Sequence, residues 1–172
     1  MGLEGCHRKK LARLTQIGVF VWAAMGLGIA QGAPLARATD LVALRALAHA
    51  RHEPIVLLFW SPTCRYCAVV ERDFLGPAAS EPRFRRIVFR RVDIDSQKPL
   101  IDFAGHKTTE ARFAKRFHVA LVPDIKFFDA QGRKVGADMR GLSTPDFYAA
   151  YLDSALDDAQ NVCQRSLRAK PS

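Results

Sequence analysis

The stretch that decides the fold reads Leu57-Leu58-Phe59-Trp60-Ser61-Pro62-Thr63-Cys64-Arg65-Tyr66-Cys67. An apolar run ends in a polar turn, and two cysteines that are separated by two residues follow the turn. Beyond the turn, Cys67, Val70 and Phe74 recur at helical spacing on one face. Two thiols at this spacing, at the start of a helix, can form and break a disulfide with little backbone movement. The stretch therefore predicts a strand, a turn and a helix that carry a redox-active dithiol.

Four segments have the composition of strands. Ile55–Trp60 is apolar throughout, which is typical of a central strand covered on both faces. Ile87–Ile94, Ile125–Asp129 and Lys134–Arg140 are the other three, and the last two are joined by a turn at Ala130–Arg133. We expect these segments to form one mixed sheet of about four strands.

Helices are predicted between and around these strands. Their expected ranges are Leu41–His49, Cys64–Leu75 with a stop or bend at Gly76-Pro77, Thr108 or Thr109 to Phe117, and Ser143–Ala159. Gln97–Lys107 has the appearance of an insertion. The alternation predicts an α/β fold with helices on both faces of the central sheet.

Charge and size argue for one ordinary soluble domain. The chain has 172 residues, of which 26 are basic and 17 acidic. Residues 1–38 hold five basic residues and one acid, so the remainder has 21 basic and 16 acidic residues, a net charge of +5. The clusters Arg83-Phe84-Arg85-Arg86 and Arg90-Arg91 are interpreted as a solvated face. We therefore expect no nucleic-acid partner.

The N-terminus has the three parts of a secretory signal peptide. Four basic residues between Arg8 and Arg13 precede an uncharged apolar run of 14 residues, Ile17–Ala30. Ala36-Arg37-Ala38 then offers small residues at −3 and −1 before Thr39. The pattern predicts cleavage after Ala38, with an uncleaved membrane anchor as the alternative. The predicted organisation is a signal peptide over 1–38, a domain over 39–160 and a polar tail over 161–172.

The chain resembles the thioredoxin superfamily. The resemblance rests on an ordered set of features: Phe59-Trp60 before Cys64-Arg65-Tyr66-Cys67, the strand end Val92–Asp95, Phe113–Val119 before Val122-Pro123, the segment Ile125–Arg133, and Gly141 before the last helix. Together these features span nearly all of residues 41–158. Within the superfamily, the hairpin Phe127–Gly132 and the helix start Ser143–Phe147 look most like exported bacterial thioredoxin-related proteins, including those of sulfur-oxidation systems.

The resemblance implies a thioredoxin-like fold and an exported, periplasmic thiol–disulfide oxidoreductase. Cys64 would be the nucleophile and Cys67 the resolving thiol. The implied substrate-binding residues are Trp60, Arg65, Tyr66, Val122 and Pro123, the last in a cis peptide bond. The implied partners are protein disulfides and a membrane thiol electron donor. No cofactor is expected beyond the Cys64–Cys67 disulfide.

The electrostatics of Cys64 and three departures from thioredoxin set the expected redox potential. A cysteine at a helix N-terminus has its thiolate stabilised by free N–H groups and the helix dipole, and Arg65 adds a positive charge. Arg65-Tyr66 replaces Gly-Pro, Thr63 replaces a tryptophan, and Leu58 replaces a buried acid. We therefore predict a potential between thioredoxin's roughly −270 mV and the roughly −120 mV of strong oxidants.

A pair of cysteines at this spacing also occurs in metal sites. A zinc site would need two more ligands, and His106, His118 and Cys163 lack a suitable spacing, so we expect no metal. Cys163 is interpreted as a free or mixed-disulfide thiol in the polar tail. Two alternatives stay open: a disulfide oxidase or isomerase that uses the same cysteines, and a non-enzymatic module that senses redox state and binds a partner.

Overall fold

The computed structural model of the chain describes residues 34–143 and 145–168. The basic segment and the apolar run of the predicted signal peptide lie outside the described residues. The helices are α1 (Leu41–Arg51), α2 (Arg65–Val69), α3 (Gly76–Ser80), α4 (Glu110–Arg116) and α5 (Pro145–Arg168). The strands are β1 (Ile55–Trp60), β2 (Val88–Asp93), β3 (Pro99–Ile101), β4 (Lys107–Thr109), β5 (Asp124–Phe128) and β6 (Met139–Arg140).

A four-stranded mixed sheet in the order β2-β1-β5-β6 forms the centre of the fold. β1 runs parallel to β2 and antiparallel to β5, so both of its edges are paired. Residues Ile55–Phe59 have no exposed surface, because one hydrophobic core lies on each face of the sheet. The α/β class and the mixed sheet predicted from the sequence are confirmed.

The helix that follows the cysteines continues beyond the predicted stop at Gly76-Pro77. A π-helical turn over Val70–Leu75 joins α2 to α3, and the run reaches Ser80. Gly76 has helical backbone angles, and Pro77 lies in the first turn of α3, where the missing N–H of proline is tolerated. The helix therefore does not stop at Gly76-Pro77, so the first of the two predicted alternatives, a stop or a bend, was wrong.

Two other segments differ from their predicted form. The insertion Gln97–Lys107 contains β3, which pairs with β4 in a short antiparallel hairpin. The fourth sheet strand has two residues, Met139–Arg140, where the sequence predicted Lys134–Arg140. Lys134 forms only an isolated bridge with Phe128, so the pairing is interrupted before β6 begins.

The last helix is longer than predicted. The sequence placed its end near Ala159, before a polar tail, whereas α5 continues to Arg168. Leu152, Leu156, Ala159 and Cys163 all lie in the core, at helical spacing, so one buried side chain per turn holds the C-terminal half against the domain. None of the helices within 34–143 and 145–168 is long and apolar enough to span a membrane.

The residues just before α1 also belong to the packed domain. Leu35 and Ala38 are buried, and residues 36–38 pair with β2 at Arg91. These are residues that cleavage after Ala38 would remove.

Candidate active site

Cys64 lies where the central strand turns into a helix. β1 ends at Trp60, and the Cys64 N–H donates to the carbonyl of Ser61 at 3.0 Å, which closes the turn. Cys64 is the N-cap of α2, and its Sγ accepts the N–H of Cys67 at 3.1 Å. Since the first N–H groups of a helix have no partner within the helix, they are available to stabilise negative charge on this sulfur.

Cys64 and Cys67 are joined by a disulfide, with their Cα atoms 5.3 Å apart. Cys64 is partly exposed, whereas Cys67 has no exposed surface. An external partner can therefore reach the sulfur of Cys64, while that of Cys67 is shielded by the protein.

A loop from the other side of the fold faces Cys64. The Sγ of Cys64 lies 3.6 Å from the carbonyl oxygen of Val122, and the Val122–Pro123 peptide bond is cis. β5 begins directly afterwards at Asp124, which is paired with Phe59 of β1. Adjacent strands thus bring together residues that lie 58 positions apart.

The two residues between the cysteines are exposed. The Tyr66 side chain is 52% exposed, and the Arg65 guanidinium lies 5.3 Å from the centre of its ring. Leu121, one residue before Val122, is 61% exposed. Leu121 was not among the predicted site residues, although its position beside Val122 and its apolar side chain are both readable from the sequence.

The Trp60 ring contacts Arg91, which forms an ion pair with Glu71 that the sequence did not predict. The Arg91 guanidinium lies 4.4 Å from the centre of the Trp60 ring and donates to Glu71 Oε2 at 3.0 Å. Arg91 is also the cross-strand partner of Leu58, the residue that replaces the buried acid of thioredoxins. Glu71, which lies in the π-helical turn, therefore neutralises the charge of Arg91 next to Trp60.

Asp95 positions the turn that leads to Cys64. The Ser61 hydroxyl donates to Asp95 Oδ2 at 2.7 Å and lies 3.0 Å from the hydroxyl of Thr63. In the sequence, Asp95 is only the last residue of the strand end Val92–Asp95. Because β1 and β2 are parallel, their C-terminal ends meet at one edge of the sheet. A parallel pairing of the two strands was therefore the signal that could have placed Asp95 near the Cys64 turn.

We expect Ser61→Ala to lower the free energy of unfolding by about 0.5–1.5 kcal/mol, because the hydrogen bond to Asp95 is lost while water can still solvate the exposed Asp95 carboxylate. Insulin reduction should slow as well, since the turn that holds Cys64 loses a restraint. Ser80→Ala is the matched control, because it removes a hydroxyl donor to the Gly76 carbonyl far along the helix. Equal effects of the two substitutions on turnover, after correction for stability, would contradict this role.

The remaining candidate ligand residues do not converge on the cysteines. Within 34–143 and 145–168, no group of three or more His, Cys, Asp or Glu residues is arranged to hold a metal ion. Cys163 is a free thiol, as expected, but it is buried on α5 and not in a tail. Burial raises the pKa of Cys163 to about 11, and Asp129 and Glu53 contribute to the rise. A mixed disulfide through Cys163 is therefore not supported.

Solved thioredoxin structures share the fold of this chain. Mitochondrial thioredoxin 3 of Saccharomyces cerevisiae, in its oxidised form, is similar with a TM-score of 0.50 and 17% identity, over 72% of this chain and 94% of that one. Fasciola hepatica thioredoxin also has a TM-score of 0.50 and 17% identity, over 72% of this chain and 97% of that one. At such identity the likeness concerns the fold alone.

Sequence comparison gives the family. No curated protein matches the chain. The family model described as a thioredoxin-like domain matches residues 43–156, which span β1, the Cys64–Cys67 disulfide, the Val122–Pro123 loop and the first half of α5. The chain therefore belongs to the thioredoxin-like domain family.

Proposed function

We propose that the protein is an exported thiol–disulfide oxidoreductase that reduces disulfides of extracytoplasmic partner proteins. The observation that carries the proposal is the asymmetric cysteine pair: Cys64 is partly exposed at the N-terminus of α2, and Cys67 is buried one turn later. The family and the Cys64–Cys67 disulfide support thiol–disulfide exchange as the chemistry. Export, the partners and the direction of electron flow are parts of the proposal.

The reaction transfers two electrons from the protein to the substrate. In the reduced protein, the Cys64 thiolate attacks one sulfur of the substrate disulfide, and the other substrate sulfur leaves as a thiolate. The Cys67 thiolate then attacks Sγ of Cys64, which forms the Cys64–Cys67 disulfide and releases the second substrate thiolate. The two product thiolates take up protons from water. A membrane dithiol donor would return two electrons by the same exchange chemistry.

The loop opposite Cys64 supports an extended protein segment as substrate. The Val122 carbonyl lies beside Sγ of Cys64, and the adjacent Leu121 side chain is mostly exposed. Tyr66 presents a second exposed apolar surface from the start of α2. A substrate backbone can pair at the edge of this loop while its side chains contact Leu121 and Tyr66.

The basic N-terminus, the apolar run Ile17–Ala30 and the small residues that follow support export to the periplasm. A partly exposed redox disulfide is also suited to an oxidising compartment, where disulfides in partner proteins persist. Within the family, we propose that the chain is of the exported bacterial type that the Phe127–Gly132 hairpin suggests.

Insulin reduction and trapping of the substrate test this proposal. The reduced protein should accelerate the dithiothreitol-driven reduction of insulin disulfides. Cys67→Ser should accumulate a mixed disulfide through Cys64, because the resolving thiol is absent. The trapped partners, identified by mass spectrometry from an extracytoplasmic extract, should be proteins with disulfides. A protein that neither reduces insulin nor forms a mixed disulfide would contradict the proposed function.

A further inference from the structure

We infer that the export signal is removed between Gly32 and Ala33, and that residues 35–40 stay in the mature protein as an extended segment that bridges its two sheets. This site lies six residues before the one predicted from Ala36-Arg37-Ala38. The inference rests on the export part of the proposed function and is independent of the redox chemistry.

On one side, this segment pairs with β2. The Ala38 N–H donates to the Arg91 carbonyl at 2.9 Å, and the Arg91 N–H donates to the Ala36 carbonyl at 3.0 Å. Arg37 and Arg91 form the corresponding parallel bridge. A chain that began at Thr39 would leave these groups of Arg91 without their strand partner.

On the other side, the same segment pairs with the β3–β4 hairpin. The Ile101 N–H donates to the Thr39 carbonyl at 2.9 Å, and Asp40 forms a parallel bridge with Ile101. Residues 36–40 therefore lie between β2 and β3 and connect the hairpin to the main sheet. Loss of residues 35–38 would leave only the hairpin side of this connection.

Two side chains of the segment, Leu35 and Ala38, pack in the hydrophobic cores. Leu35 is 7% exposed and Ala38 is 1% exposed, and they belong to the cores on opposite faces of the sheet. Arg37 forms an ion pair with Glu110, whose side chain is 1% exposed. Without Arg37, this buried carboxylate would lose its cationic partner, which is strongly unfavourable.

The segment also contributes to the surroundings of the active site. The Leu35 N–H donates to Glu71 Oε1 at 2.7 Å, and Glu71 in turn binds the Arg91 guanidinium that lies over Trp60. Cleavage after Ala38 would remove a buried donor from this carboxylate. The contacts of residues 35–38 thus argue for a mature chain that begins before Leu35.

The sequence offers a suitable site upstream of that limit. Ala30 and Gly32 supply small residues at −3 and −1, directly after the apolar run Ile17–Ala30. Hydrolysis of the Gly32–Ala33 peptide bond by a processing endopeptidase consumes one water and leaves a carboxylate on Gly32 and an amino group on Ala33. The mature chain then keeps all of residues 35–40.

The N-terminus of the mature protein tests the inference directly. The full chain is expressed in a bacterial host that exports it, and the periplasmic product is analysed by intact mass and N-terminal sequencing. The expected first residue is Ala33. A product that begins at Thr39, or an exported chain that is not cut, would overturn the inference.

Two matched substitutions locate the cleavage site independently. Gly32→Lys disrupts the proposed site, and Ala36→Lys disrupts the Ala36-Arg37-Ala38 pattern with the same added charge. The Ala36 side chain is exposed, so lysine is tolerated there by the folded domain. Gly32→Lys should leave most of the chain as precursor, and Ala36→Lys should mature like the wild type. The reverse pattern, or equal maturation of both variants, would overturn the inference.

The same samples separate this inference from the proposed function. Subcellular fractionation reports export, and insulin reduction by the purified protein reports the redox activity. A periplasmic, active protein that begins at Thr39 would refute only the cleavage site. An inactive protein that begins at Ala33 would refute only the proposed activity.

Discussion

Replacement of Cys64 by serine is expected to abolish insulin reduction, lowering turnover by several orders of magnitude, as loss of a nucleophile does. Cys64 is the partly exposed residue of the disulfide, and Cys67 has no exposed surface, so its sulfur is too deeply buried to act as the attacking group instead. A serine hydroxyl stays protonated at neutral pH and cannot form a disulfide. The measurement is the initial rate of dithiothreitol-driven insulin reduction at equal protein concentration.

The control for this substitution is Cys163→Ala. Cys163 lies on α5, in contact with a pocket that Glu53 and Asp129 line, at the end of β1 opposite to Cys64. Its removal should leave the initial rate unchanged, and thermal unfolding of both variants checks that they fold. Residual activity of Cys64→Ser near the wild-type rate, or a large loss of activity in Cys163→Ala, would refute the assignment of the nucleophile.

Replacement of Lys126 by methionine is expected to lower the free energy of unfolding by about 3–5 kcal/mol, because two carboxylates lose their shared buried cation. Lys126 Nζ lies 2.9 Å from Asp124 Oδ2 and 2.7 Å from Asp138 Oδ2, and its side chain is 1% exposed. Burial raises the pKa of Asp124 above its ordinary value despite the contact with Lys126. Since Asp124 directly follows Pro123, the loop opposite Cys64 should be disturbed as well.

Lys134→Met provides the matched control for this prediction. Lys134 Nζ lies 2.7 Å from Asp138 Oδ1, but its side chain is 43% exposed, and Asp138 keeps Lys126 and Arg140 as cationic partners without it. Removal of this exposed cation should cost at most about 1 kcal/mol. Urea unfolding of both variants gives the comparison. A Lys126→Met protein as stable as Lys134→Met would show that the buried cluster does not stabilise the fold.

The sequence predicted the central strand and its cysteine turn because their signals are local. Ile55–Trp60 is apolar at every position, which is typical of a strand covered on both faces. Cys64 and Cys67 follow within one turn of the strand end, so their proximity depends on the nearby chain alone. The resemblance then supplied Val122 and Pro123, which spacing alone does not bring to Cys64.

The polar contacts around the site were not predicted, because each joins residues on different elements. Glu71 and Arg91 are 20 positions apart, and Ser61 and Asp95 are 34 positions apart. In sequence, such residues look like ordinary surface charges. Their pairing depends on strand register and helix rotation, which hydrophobic periodicity does not specify.

Short or partly buried elements were missed for a related reason. β3 and β4 have three residues each, too few to show an alternating pattern. The C-terminal half of α5 is mostly polar, and Cys163 is one of the few residues there that lie in the core. The mostly polar composition of this segment therefore predicted a tail. In the structure, one buried side chain per turn is enough to hold it as a helix.

The most direct test of the account is a redox titration of the Cys64–Cys67 pair. The protein is equilibrated with a series of glutathione buffers, and the alkylated fraction of the two cysteines is measured by peptide mass spectrometry. We predict a reversible two-electron transition with a midpoint above roughly −270 mV and below roughly −120 mV, because Sγ of Cys64 accepts a helix N-terminal N–H and Leu58 replaces the buried acid. A midpoint below that of thioredoxin, or no reversible transition, would contradict the account.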